Sequence, residues 1–448
     1  MAVLYFFREP ETLYDCASFI CGLQFVMCCN GFSGRGSGFA ITRWRRIYSL
    51  GVAGLTVLML FVSLSALLGS EEIRRRVAAA DTMVLGIAAL EVVMSTLVFM
   101  VAVVSLQAAA RRHQGIYVRL SAMDTLLTRD FGANLNYRKL LRKNIVVLVS
   151  VTVLYLGAIT SAVIQMASGK RTLFLLSAYC YVCVTGGPHF TGYVHMSLVE
   201  MLSIRFRLLQ QLLSPRFLEG RFPQRQLREQ RIRQAVAMVQ ELHQLIQEIN
   251  GVFGVVLWMS MAHDLAISTS ELYIIFGMGV ANMEEGLGHN EAERKLKLEQ
   301  NKDSRVLLGY VALFMAAPLY KLLIGPFYCE RTVLEARRCL RLIEHLDNWH
   351  PCSPAMRQLV NSLMSWRLQS RQQFTIGLDI RLNRTVLTLV GIAWIVSPES
   401  LSNFVCFCFQ LVSILVNYLL ILIQFAMTQK MGEHIEQQKV ALQDWIGI

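Results

Sequence analysis

Five ionisable side chains sit inside long apolar runs of this 448-residue chain: Glu91, His189, His263, Asp264 and Glu271. Lipid cannot solvate such groups, so on a membrane helix they face the protein interior or a watery cavity. They could line a ligand cavity and bond the hydroxyl or amine groups of a small molecule. The plainer alternative is a satisfied structural pair, such as Glu91 with a neighbouring helix, or a position near the bilayer surface. Residue type alone leaves both readings open. Asp264 and Glu271 lie seven apart, two turns along one helical face, and are the first pair to test.

Catalytic chemistry is not expected. Ser260, His263 and Asp264 have the composition of a triad, but adjacent residues on a helix point about 100° apart and a triad must converge. The chain has no phosphate-binding Gly-rich loop, no HExxH and no metal-ligand spacing, so no enzyme, cofactor or metal centre is indicated. Eleven cysteines form no disulfide framework. Cys180 and Cys183 make a CxxC within the apolar run LSAYCYVCV, which fits buried, inert thiols better than zinc or redox work.

Another mixed stripe lies near the end, in NYLLILIQF, Asn417 to Phe425. Positions 421, 424, 425 and 428 share one helical face and read Ile, Gln, Phe and Thr, with Asn417 one turn earlier. Gln424 against lipid would leave its amide unsatisfied, at a cost of several kcal/mol. That face therefore meets a neighbour or water. A ring of amides can replace part of an ion's hydration, and apolar rings can gate by dewetting. An interhelical hydrogen bond gluing a bundle is the alternative.

The elements that must carry these residues are membrane helices. Hydrophobic residues make up 54% of the chain and charged residues 17%, against about 25% for a soluble protein, and the mean hydropathy is +0.45. Spans are expected at about 48–69, 82–107, 145–168, 172–202, 251–278 and 306–327, with a last apolar region over 385–427. No cleavable leader is expected, because Arg8, Glu9, Glu11 and Asp15 interrupt the N-terminal apolar run. The stretch LYDCASFICGLQFVMCC reads as a short interfacial or re-entrant helix. Pro188 after Gly186–Gly187 predicts a kink in the fourth span. Residues 286–303 read as a solvated outer loop.

The +12 charge sets orientation rather than indicating nucleic acid. With the N-terminus inside, 30 Lys and Arg fall in the inner segments and 12 in the outer ones. The fold class expected is thus all-α: a seven-transmembrane bundle, N-terminus inside and C-terminus outside. Helical periodicity in RQAVAMVQELHQLIQEINGVF and LEARRCLRLIEHLDNW predicts helices continuing into the cytoplasm. The corresponding regions are 1–47, cytoplasmic with the short helix; 48–328, the first six spans and the ligand-sensing bundle; 329–384, a cytoplasmic helical segment; 385–427, the last span; and 428–448, an outer tail.

Thr385 to Phe425 is too long for one crossing: 41 residues of helix rise roughly 60 Å, twice the hydrocarbon thickness. It also holds Pro398 and Glu399. Either two short passes turn within it or one span carries an insertion, and the insertion is the reading favoured. NFVCFCFQ back-translates to a thymine-rich run ending in CAG, and Val390–Gly391 can encode GT, the marks of intron ends. Removing 391–410 leaves 21 residues between Thr385 and Phe425, one crossing.

Seven spans, an inner N-terminus and a terminal Tyr-apolar(5)-Gln-Phe resemble the insect gustatory receptors. That family's signature is Thr-Tyr, five apolar residues, then Gln-Phe; here Tyr418, Gln424 and Phe425 match and Asn417 replaces the Thr. The run LNRTVLTLV, with Asn383 and Arg384, also looks like the approach to that family's last helix. The resemblance implies a plasma-membrane, homo- or heterotetrameric, ligand-gated non-selective cation channel related to insect odorant receptors. Its last helices line a central pore, and its cytoplasmic segments make the main subunit contacts. Tastants bind within each subunit's bundle. By motif position, Ile421 and Phe425 would form apolar rings at the gate and Gln424 would face the lumen. A metabotropic seven-helix chemoreceptor, which the charge bias opposes, and a secondary transporter, which internal repeats would favour, are the competing classes.

Sequencing mature transcripts is expected to find residues 391–410 spliced out; their uniform presence would refute the insertion.

Overall fold

The computed structural model describes residues 10–35, 38–71, 82–165, 171–284, 291–348, 350, 353–369, 374–376 and 380–381. Within them run α1 (Leu13–Val26), β1 (Phe32–Arg35), β2 (Gly38–Ile41), α2 (Arg43–Leu68), α3 (Thr82–Ala108), α4 (Ala110–Phe131), α5 (Tyr137–Gln165) and α6 (Arg171–Leu212). After these come α7 (Pro215–Arg221), α8 (Arg225–Glu284), α9 (Glu291–Glu344), α10 (Pro354–Gln369) and the short pair β3 (Thr375–Ile376) and β4 (Ile380–Arg381). The chain divides into two compact units, Met1–His263 with Lys321–Asn383, and Asp264–Tyr320 with Arg384–Ile448.

Five helices among the described residues are long and apolar enough to cross a membrane: Arg43–Leu68, Ala88–Ala108, Tyr137–Gly157, Thr172–Leu212 and Arg225–Ser268. Their outward faces are greasy; on α2, Leu55, Leu58 and Val62 are each more than half exposed. Such a surface is stable against acyl chains and not against water. These are the first five expected spans. The sixth, 306–327, falls within the helical backbone of α9. The seventh lies outside the described residues, and Ile421, Gln424, Phe425, the 391–410 segment and the 428–448 tail lie there with it.

The helices outrun any bilayer, as their periodicity predicts. The 42 residues of α6 rise about 63 Å, twice a hydrocarbon core. The second span ends at Ala108, and α4 resumes after one residue. The stretch read as an outer loop is helical from Glu291 onward, forming the first turns of α9.

In the first unit α6 is the hub, packing against α1, α2, α3 and α5. Pro188 lies inside α6, which continues through it as helix, although the ring removes the bond to the carbonyl of Val184. Close approach explains Gly187: a Cβ there would meet Phe99 Cδ2 at 2.9 Å and Cys29 Sγ at 3.3 Å. Beyond the apolar stretch, α6 places Arg205 among the largest fully buried side chains. Its guanidinium donates Nε to Asp124 Oδ1 at 2.8 Å and Nη2 to Asp124 Oδ2, while Nη1 reaches the Met201 carbonyl at 2.8 Å. Tyr137, at the start of α5, donates its hydroxyl to the same carboxylate at 2.6 Å. One carboxylate thus joins α4, α5 and α6.

Neighbouring ties repeat the device. Arg119 on α4 donates to Glu241, Gln244 and Glu248, one stripe of α8. Lys143 on α5 is paired with Glu200 on α6 and donates to the Tyr328 hydroxyl on α9 at 3.3 Å. Burial pushes the Cys339 thiol of α9 up to about 12, consistent with packing rather than reactivity.

Helix α1 is shorter than a span and starts with a Thr12–Asp15 capping box. It packs on α4, α5 and α6 rather than standing alone. The β1–β2 hairpin that follows was not anticipated from the sequence. Phe32 and Phe39 stack edge to face at 5.2 Å, and Phe32 meets His113 of α4 at 4.9 Å. His113 also abuts Phe253, and burial drives its pKa down to about 3, so the ring is neutral in the fold.

Replacing Asp124 by Ala strands a buried guanidinium and is expected to cost about 3–5 kcal/mol, whereas Asp124→Leu with Arg205→Leu together should cost far less. Thermal melting followed by fluorescence-detected size exclusion checks this. Equal losses in both variants would refute it.

Candidate functional site

Among the described residues of the first unit, a set of polar contacts crosses the apolar part of the bundle. Glu91 on α3 accepts a hydrogen bond from the Tyr181 hydroxyl on α6. One turn further along α3, Ser95 Oγ lies 2.8 Å from Nε2 of the buried His263 on α8. One turn back along α8, Ser260 Oγ accepts from Lys321 Nζ of α9 at 2.5 Å. The same ammonium lies 3.4 Å from Nδ1 of His189 on α6.

Periodicity accounts for the grouping. Glu91 and Ser95 are four apart and Ser260 and His263 three apart, so each pair shares a face of its helix. Ser95 and His263 meet each other, while Glu91 and Ser260 find their partners on α6 and α9. Facing Lys321, α6 presents Gly192, where a Cβ would sit 2.6 Å from Lys321 Cδ. Only a residue without a side chain lets that lysine pass so close to the α6 backbone.

This arrangement brings together three of the five residues singled out from the sequence, Glu91, His189 and His263. It sends Ser260 and His263 to different partners, as the divergence on a helix requires. Asp264 and Glu271, in the second unit, are both buried on α8. Ser95, Tyr181, Gly192 and Lys321 were not singled out. Lys321 carried a signal, a lone cation inside an expected span, whereas serines, tyrosines and glycines are common in such helices and carried none. Cys180 is buried and Cys183 partly so, and both are free thiols.

Chemically, the layer offers a carboxylate, two imidazoles, an ammonium and three hydroxyls in an apolar setting. It supplies donors and acceptors in abundance. A polar small molecule could exchange its own hydroxyl or amine groups for these contacts without exposing any of them to lipid.

The family described as 7tm Chemosensory receptor matches residues 17–395 of the chain. The chain is 61% identical over 447 residues to the Drosophila melanogaster protein named "Putative gustatory receptor 57a", with all of both chains covered. It is also 24% identical over 216 residues to "Putative gustatory receptor 47b" of the same organism, covering 48% of this chain and 47% of that one.

Gly192→Ala should destabilise the fold by about 1–3 kcal/mol through overpacking against Lys321. Lys321→Ala added to it should remove most of that increment, a coupling that a double-mutant cycle of melting temperatures reads out. Additive losses would refute the contact.

Proposed function

The chain belongs to the 7tm chemosensory receptor family, a multi-pass membrane family, and on that premise we propose that it is a plasma-membrane gustatory receptor working as a ligand-gated, non-selective cation channel for small-molecule tastants. The observation that carries the reading is the cross-helix polar layer of Glu91, Ser95, Tyr181, His189, Ser260, His263 and Lys321, in a chain 61% identical to a named gustatory receptor. Asp264 and Glu271 are proposed to belong to the ligand-responsive part of α8.

The pore is assigned to the last span. Four copies of Gln424, from identical or related subunits, ring the lumen, and Ile421 and Phe425 form the apolar constriction beside it. The cytoplasmic helices around 329–384 make the subunit contacts. The N-terminus lies inside and the C-terminal tail outside, as the charge distribution supports.

Electrophysiology on the chain with residues 391–410 deleted tests the channel. Ligand-evoked cation currents are expected, with ion selectivity altered by Gln424→Ala. Unchanged permeation would leave Gln424 as a packing residue. An N-terminal tag reached by antibody on unpermeabilised cells would contradict the topology and favour a metabotropic receptor.

A further inference from the structure

The start of α2 combines three features that no contact within the described residues accounts for. Arg43, Arg45 and Arg46 fall in its first turn, with no acidic residue there. Each lacks a carboxylate partner among the described residues, and Arg45 Nη1 is buried with no hydrogen-bond acceptor. Thr42, the N-cap, makes no side-chain capping bond to the first-turn N–H groups. Cations and open backbone donors at one place ask for an anion.

The surroundings say which kind. Trp44 is 80% exposed, and Ile47 and Tyr48 are each 59% exposed, at the head of a helix whose outward face is apolar to its end. Tyr48 stacks on Phe25 of α1 at 5.8 Å, and the adjoining Val26 is 65% exposed. Aromatic rings and arginines at the mouth of a span, above a greasy flank, mark the level of lipid headgroups. A soluble anion would have no use for the exposed Trp44, Ile47 and Val26; a lipid would use both halves.

We infer that the α1–α2 shoulder binds the headgroup of an anionic phospholipid, its phosphate and carboxylate oxygens held by Arg43, Arg45, Arg46 and the first-turn amides of α2, its upper acyl chain lying against Trp44, Ile47 and Val26. The leaflet assignment rests on the inner N-terminus of the proposed topology, since anionic lipid is concentrated on the cytoplasmic side. The lipid then fixes the depth of α2 in the membrane.

The test uses the purified full-length receptor in detergent, titrated with phosphatidylserine or phosphatidylcholine and read by native mass spectrometry. Wild type is expected to prefer phosphatidylserine, and each Arg→Gln change at 43, 45 and 46 should weaken that preference about fivefold. Arg→Lys at all three should retain most of it, which separates loss of charge from misfolding. Equal binding of the two lipids by wild type, or an undiminished preference in the triple Gln variant, overturns the inference. Displacement of phosphatidylserine by inorganic phosphate at matched concentration also overturns it, by making the site one for soluble anions. Binding in detergent is independent of topology, so failure of the topology, read by the tag, is distinguishable from failure of the site.

Discussion

Arg205 is buried where no water can solvate its guanidinium, so its counter-ion must come from the protein. Asp124 supplies it in a two-pronged contact that has only one good geometry. A shift of α6 by one residue against α4 would break both bonds and leave Asp124 held by the Tyr137 hydroxyl alone. The pair contributes little net stability compared with apolar residues of similar volume, but its loss is costly. That asymmetry makes it a device for register. The contacts that α6 makes with α1, α2, α3 and α5 depend on that register.

The same requirement operates in the apolar layer above it. Glu91, His263 and Lys321 cannot be left to lipid, so each is met by a partner from another helix. Sterics then have to allow the meeting. Gly187 lets Phe99 of α3 close on α6, and Gly192 lets the Lys321 stem lie along it. Two glycines of α6 therefore serve packing at stated contacts, and helix propensity yields to them. Thr185 and Thr191 flank the Gly186–Pro188 stretch and bond back to the Tyr181 and Gly187 carbonyls, which keeps polar groups within the helix.

Much of this was legible in the residues because apolar runs of about 20 and a 3.6-residue period carry a strong signal. The first five apolar spans and the helices that run on past them followed from it. The family followed from a short terminal motif joined to topology, and the likeness along the whole chain supports the same family. The β1–β2 hairpin was not legible, because FSGRGSGFA has only two aromatics to announce a paired strand. Nor were the cross-helix partners, since periodicity orders residues on one helix and says nothing of which face meets which. The outer loop failed for a related reason: a polar run such as EAERKLKLEQ satisfies helix propensity while showing no apolar face. The pore stripe, Ile421, Gln424 and Phe425, lies beyond the described residues, so it rests on the motif.

The first unit also suggests how a ligand-dependent change could travel. On α9, Lys321, Tyr328, Thr332 and Glu335 follow at intervals of seven, four and three, which keeps them on one helical face. Lys321 faces Gly192 and His189, Thr332 donates to the Val199 carbonyl at 3.1 Å, and the Glu335 carbonyl accepts from Gln210 at 2.8 Å. Both series rise together, so α6 and α9 run parallel and are joined along that face. A side chain that moves Lys321 therefore pulls on a helix tied at three further points, and packed helices respond by shifting as units rather than by stretching. The C-terminal half of α9 would then report what happens in the polar layer. Because α9 leads through α10 toward the last span, the chain order itself connects the polar layer to the segment proposed to form the pore.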